Sequence, residues 1–86
     1  MYYYVYILLS SKNGSFYVGY TRNIKKRLYE HNSGKSQATK PFRPYELVFY
    51  EAFLNVDDAK GREEYLKSGW GGRTIRKMLK HFLSGQ

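Results

Sequence analysis

The sequence predicts an α+β fold in which a three-stranded, mostly antiparallel sheet is flanked by helices, in the order ββαβαα. Three observations lead there. Two runs rich in aromatic and β-branched residues are separated by Asn13-Gly14, the strongest short-range hairpin signal. A third such run follows a polar, proline-bearing stretch. The remaining segments repeat apolar residues at helical spacing behind an asparagine or a glycine pair.

Tyr2 to Leu9 is apolar on both faces and stops at the polar cluster Ser10 to Ser15, as expected of a covered, central strand. Phe16 to Thr21 is the second strand of the hairpin. Asn23 is placed to cap a helix over Asn23 to Ser33, because Ile24, Leu28 and His31 recur at helical spacing and Gly34 follows. Ser33 to Pro44 has neither periodicity and carries Pro41 and Pro44, so it is expected to be an exposed loop able to reach a ligand. Tyr45 to Leu54 returns to alternation as a third strand, whose partner the sequence leaves open. Asn55 caps the next helix, with Asp57 and Asp58 in its first turn and an end near Gly69. Behind Gly71-Gly72, the spacing of Ile75, Met78, Leu79 and Phe82 predicts one C-terminal helix with Arg73, Arg76, Lys77 and Lys80 outward.

With 86 residues the chain fits one domain, spanning 1–86. Hydrophobic residues at 42%, including 10 Tyr and 5 Phe, supply enough area to close a modest core without staples. Cysteine is absent, which excludes a disulfide framework and a thiolate metal site and leaves the cytoplasm as the default compartment. The apolar run Tyr2 to Leu9 is too short to span a bilayer and has no signal-peptide context, so no membrane association is expected. The formal charge is +8, unevenly placed. Residues 22 to 43 hold seven basic side chains against Glu30 alone, residues 67 to 86 hold five and no acid, and residues 44 to 66 hold six of the seven acids. Clustered cations of this kind release counterions on meeting a phosphate backbone, so nucleic acid is the expected partner.

Hairpin geometry makes a statement about two tyrosines. Whether the loop is Asn13-Gly14 or Ser11 to Gly14, even positions of the first strand pair with odd positions of the second. Tyr6 and Tyr17 therefore share a face, and so does Gly19, expected to leave bare backbone where a phosphate could approach. On parity alone, the simpler explanation is that both are ordinary core residues of a tyrosine-rich protein. On the first helix Arg27 and His31 stand at i and i+4 beside the buried stripe and read as semi-interior cations, while Arg22, Lys25 and Lys26 look outward as phosphate contacts. Lys35, Lys40 and Arg43 in the loop, and Arg73, Arg76 and Lys77 on the last helix, extend that cationic set. Glu63 sits four after Ala59 and three before Leu66, which puts a carboxylate in the apolar stripe of its helix. Isolated burial of a charge is expensive, so Glu63 needs an ion pair with Arg62 or Arg27, or a divalent metal. Magnesium often takes only one or two protein carboxylates, so one glutamate can suffice.

Tyr4-Val5-Tyr6, Tyr17-Val18-Gly19 eleven residues on, Tyr20-Thr21-Arg22-Asn23, Lys26-Arg27-Leu28 and Glu30-His31-Asn32 together resemble the GIY-YIG nuclease family. The run Ala59, Arg62-Glu63, Leu66-Lys67 looks like that family's glutamate-bearing helix, and the likeness is closest to its small stand-alone bacterial members. Tyr4 and Val5 replace the first triplet's glycine and isoleucine, Val18 is the middle residue of the second, and the late asparagine of many members has no counterpart after Asn55. The resemblance implies a GIY-YIG-like sheet, Tyr6 and Tyr17 as catalytic tyrosines, Arg27 as phosphate clamp, His31 as supporting acid/base group and Glu63 as metal ligand. It implies Gly19, Thr21, Arg22 and Lys26 at the nucleic acid. The activity it implies is Mg²⁺- or Mn²⁺-dependent endonuclease action on DNA rather than RNA, of a kind suited to branched structures in repair or recombination. The alternatives are a non-catalytic DNA- or RNA-binding module and a protein-interaction platform on the same fold. Recognition would fall to the loop, the C-terminal helix or a partner protein.

Overall fold

A computed structural model of the chain describes residues 1–85. Strand β1 (Tyr3–Ser10) runs through the middle of a sheet ordered β2-β1-β3, with β2 (Phe16–Thr21) and β3 (Tyr45–Phe53) both antiparallel to it. Its central place explains why Tyr3 to Leu9 is apolar on both faces: Val5 and Ile7 feed one cluster, Tyr6 and Leu8 the other. The sheet is antiparallel throughout. The hairpin uses the longer of the two expected loops, because Leu9 pairs with Phe16 and the Gly14 N–H returns to the Ser10 carbonyl at 2.9 Å. Gly14 has φ +76, a conformation that favours glycine. The pairing of β1 with β3 slips between Ile7, opposite Phe49, and Leu8, opposite Leu47, leaving Val48 as the extra residue of a bulge.

Helix α1 (Ile24–Asn32) begins where Asn23 accepts from the Lys26 N–H at 3.1 Å and ends before Gly34, whose φ is +84. It covers the Tyr6 face of the sheet through Leu28 and His31. Helix α2 (Val56–Lys67), capped by Asn55, covers the opposite face through Ala59 and Leu66 and is tied to β3 by the Arg62–Glu51 ion pair at 2.7 Å.

Two expectations need correction. The C-terminal segment is broken into α3 (Gly71–Met78) and α4 (Lys80–Ser84) at Leu79, whose φ −106 and ψ 24 leave the helical range. The break lets the consecutive Met78 and Leu79 both pack on the core and leaves Phe82, 36% exposed, off the stripe that a straight helix would have buried. The stretch from 33 to 44 is also not a plain exposed loop. It contains a 3₁₀ turn over Lys40–Phe42 and a fully buried Thr39.

Asn32 ties this stretch down. Its side-chain amide donates to the Tyr45 carbonyl at 3.0 Å and its Oδ1 accepts the Tyr45 N–H at 2.7 Å, so the end of α1 is clamped to the start of β3. Replacing Asn32 by alanine leaves two backbone groups without those partners, and about 1–3 kcal/mol of destabilisation is expected in urea unfolding. A change of under about 0.5 kcal/mol would show that water replaces the clamp.

Candidate active site

The site grows out of the strand register. Tyr6 lies opposite Gly19 and Tyr17 opposite Leu8, so both tyrosines stand on the face that α1 covers. From the last turn of α1, His31 comes down between them. The Tyr6 hydroxyl is 2.9 Å from His31 Nε2, and the Tyr17 ring meets the imidazole edge-on with centroids 4.9 Å apart. His31 Nδ1 lies 2.7 Å from Thr39 Oγ1, and Tyr45 closes the group at 6.3 Å. His31 is 0% and Tyr6 2% exposed.

That burial sets the protonation states. Desolvation, reinforced by the Arg27 charge, lowers the His31 pKa from 6.5 to about 4, so at neutral pH the ring is uncharged and is not the semi-interior cation expected. The Tyr6 phenol is pushed up to about 12: burial raises it, Arg27 pulls it back, and the charges of Tyr17 and Glu63 raise it again. Desolvation thus outweighs the pull of the Arg27 charge. A protonated phenol beside the Arg27 guanidinium is assigned as the donor to Nε2, the direction that leaves its oxygen toward the cation. The ring's own N–H, on Nδ1, then points at Thr39.

Arg27 sits one turn before His31 and reaches both Tyr6 and Glu30, whose carboxylate it holds at 3.1 Å and below the usual range. With its side chain 35% exposed, it joins the buried phenol to the surface. Glu63 arrives from the other side of the sheet. Helix α2 runs along the free edge of β2, its Lys60 over the Tyr20 ring at 6.0 Å and its Lys67 over the Tyr17 ring at 5.8 Å, on opposite faces of that strand. Glu63 is 20% exposed and bonds Lys67 at 3.1 Å. Neither expected partner holds it, because Arg62 is taken by Glu51 and Arg27 by Glu30. Among the described residues no three His, Asp or Glu side chains converge as a ready-made metal cage. Glu63 nevertheless fits a one-carboxylate site, since only a half-exposed lysine need swing away to free it.

The patch expected to be bare at Gly19 is filled: the Tyr6 phenol lies where a side chain at 19 would be. Thr21 exchanges hydrogen bonds with Asn23 in the turn into α1. Arg22 lies over the Tyr3 ring at 5.5 Å, Lys35 over Tyr29 at 5.7 Å, and Arg43 against Gly34, while Lys26 and Lys40 are exposed. Arg73, over Trp70, and Lys77 belong to α3 on the far face, so the structure does not gather all the cations on one surface. Arg76 is the link, because it lines, with Lys67 and Tyr17, a cleft of about 750 Å³ at the β2 edge. Thr39 and Tyr45 were missed as site residues. The one signal for Thr39 was a β-branched hydroxyl in an otherwise polar loop.

Comparison with known proteins settles the family. The GIY-YIG catalytic domain matches residues 2–73. The chain belongs to the GIY-YIG family. It is 43% identical over 65 residues to a UPF0213 protein of Clostridium perfringens, covering 74% of this chain and 69% of that one. A UPF0213 protein of Streptococcus pneumoniae is 35% identical over 82 residues, covering 94% and 77%. The solution NMR structure of a UPF0213 protein from Bacillus halodurans superposes with a TM-score of 0.56 at 34% identity, covering 91% and 85%. The GIY-YIG fold and its bacterial relatives thus agree with the sheet described above.

Two predictions follow from the geometry. A methyl group at 19 must displace the phenol, so Gly19→Ala is expected to destabilise the protein by about 1–3 kcal/mol and to loosen the Tyr6–His31 contact; unchanged stability would mean the ring has room to move. The depressed His31 pKa stabilises the fold fully above pH 6.5, and that stability, about 3 kcal/mol, drains away as pH falls from 6.5 to about 4. Denaturant unfolding across that window should show the loss in the difference between wild type and His31→Gln, and a flat difference would contradict a buried neutral ring.

Proposed function

We propose that the chain is an endonuclease hydrolysing nucleic-acid phosphodiester bonds, DNA ahead of RNA, with Mg²⁺ or Mn²⁺ held on Glu63. The observation that carries this reading is the Tyr6–His31 hydrogen bond, with the Tyr17 ring edge-on to the same imidazole and Arg27 one turn earlier on α1. A protonated phenol hydrogen-bonded to a neutral imidazole and close to a guanidinium is an arrangement that proton transfer can use as well as one that satisfies a buried ring.

In this mechanism Arg27 leaves Glu30 for a non-bridging phosphate oxygen and holds the phosphorus in line for attack. Tyr6 cannot ionise on its own at neutral pH. It takes a proton from the attacking water only while passing its own to His31 Nε2, which is unprotonated at neutral pH and becomes a better acceptor once Arg27 turns its charge to the phosphate. The Tyr17 hydroxyl, on the same face and more accessible, positions the phosphate. Glu63 supplies the carboxylate for a divalent ion, which would place positive charge near the phosphate and the leaving 3′ oxygen. The rival reading, a DNA- or RNA-binding module without cleavage, draws on the Glu63–Lys67 pair, which leaves the acid partnered by a cation. Branched DNA in repair or recombination, a protein partner that supplies specificity, and a cytoplasmic location complete the proposal.

The test is a cleavage screen over single-stranded, duplex, flap and four-way DNA, with an RNA control, in Mg²⁺, Mn²⁺ or EDTA. Cutting is expected with metal and not with EDTA, and Glu63→Gln or Arg27→Ala should reduce it by about 100-fold or more in a folded protein. Salt-sensitive gel shifts with no cutting on any substrate would establish the binding module, and wild-type rates in either variant would refute these roles.

A further inference from the structure

Beside the tyrosine pair, on the same face of the sheet, lies a second cleft of about 380 Å³, lined by Tyr4, Asn23, Ile24, Lys25, Leu47 and Tyr50. Its size falls at the small end of the range of about 300–1,000 Å³ usual for small-ligand sites. We propose that this cleft holds an unpaired nucleobase of the substrate strand, stacked on Tyr50 with its edge against Tyr4, while the adjoining phosphate lies at Arg27. The proposal rests on the nuclease reading and gives it a substrate class, nucleic acid with unpaired nucleotides at the cut.

The register places the cleft next to the chemistry. Tyr50 is directly opposite Tyr6 in the β1–β3 ladder, and Tyr4 is two residues before Tyr6 on the same strand, so all three side chains leave the same face. Tyr6 turns inward to His31, but Tyr50 stays 55% exposed and meets Tyr4 edge-on at 5.9 Å, with Tyr2, 46% exposed, 6.4 Å beyond Tyr4. Isolated exposed aromatics are ordinary. A contiguous wall of three, continuous with an active-site tyrosine, is not.

The opposite wall is the first turn of α1. Ile24 presents an apolar surface and Lys25 a cation, and Arg27 follows three residues after Ile24 on that helix. One helical turn advances about 5.4 Å, so an aromatic slot and a phosphate-binding guanidinium sit side by side. An apolar slot with Lys25 at its wall suits a base with its phosphate attached, because every base offers a π-face and every nucleotide a negative charge. A base stacked within a duplex cannot offer that face, so the slot discriminates by structure rather than by sequence.

The experiment is equilibrium binding by fluorescence anisotropy in EDTA, with labelled oligo(dT), oligo(U) and a mixed-sequence duplex, for wild type, Tyr50→Ala, Tyr4→Ala and the corresponding phenylalanine variants. Each alanine variant is expected to weaken binding of the single strands by about 5-fold or more, with duplex binding changed less than about 2-fold and the phenylalanine variants close to wild type. The tighter of the two single strands identifies the source of the base. Equal losses on single strand and duplex, no loss at all, or a phenylalanine variant as weak as its alanine counterpart would each overturn the stacking slot. Cleavage is absent from this measurement. Tyrosine-dependent single-strand binding by a protein that cuts nothing would therefore leave the slot standing and end the nuclease reading, and cutting without the tyrosine effect would do the reverse.

Discussion

A fully buried imidazole whose two nitrogens both need partners is the constraint on which this structure turns. Water cannot reach His31, so each ring nitrogen must be met by a side chain or the fold bears the penalty of an unpaired polar group. Tyr6 meets Nε2 and Thr39 meets Nδ1. The first contact turns a strand residue toward the helix and fixes the phenol over residue 19, where only glycine leaves room. The second draws the connection between α1 and β3 inward at Thr39, and the Asn32 clamp to Tyr45, one residue past the histidine, holds it there. Three separate segments are locked in register by one five-membered ring.

The other half of the site depends on an edge. Ala59 and Leu66 anchor α2 on the face of the sheet away from the tyrosines, and an acid on that helix would be stranded there if β2 were an inner strand. Because β2 is terminal in the order β2-β1-β3, the helix can border it and deliver Glu63 and Lys67 to the Tyr17 side. The same lateral arrangement leaves Arg76 and Lys67 flanking one cleft at that edge, while β3 on the opposite edge contributes Tyr50 to another. Substrate would thus approach a tyrosine centre flanked on one side by cations and on the other by aromatic rings.

Local chemistry made much of this legible in the sequence. Strand periodicity, the Asn13-Gly14 turn and the caps Asn23 and Asn55 depend on neighbours along the chain, and the structure follows them closely. Pleat parity alone puts Tyr6 and Tyr17 on one face, as the register shows. What escaped depends on distance in sequence. Thr39 is eight residues from His31 in a stretch with no period to announce burial, and Tyr45 is identified only once β3 is known to lie beside β1. Glu63 was recognised as an acid in an apolar stripe, but its partner is its own helix neighbour Lys67, because the two arginines within reach found acids of their own. The charge states of Tyr6 and His31 were the least accessible, since they follow from the amount of water excluded, which composition does not reveal.

The direction of the hydrogen bonds through His31 is the centre of the account. Nitrogen NMR of the imidazole in the intact protein at about neutral pH reads it directly. A neutral ring protonated on Nδ1, with bare Nε2 accepting the Tyr6 hydroxyl, is the expected result. A ring protonated on Nε2, or on both nitrogens, would leave Tyr6 nowhere to send its proton and would contradict the relay.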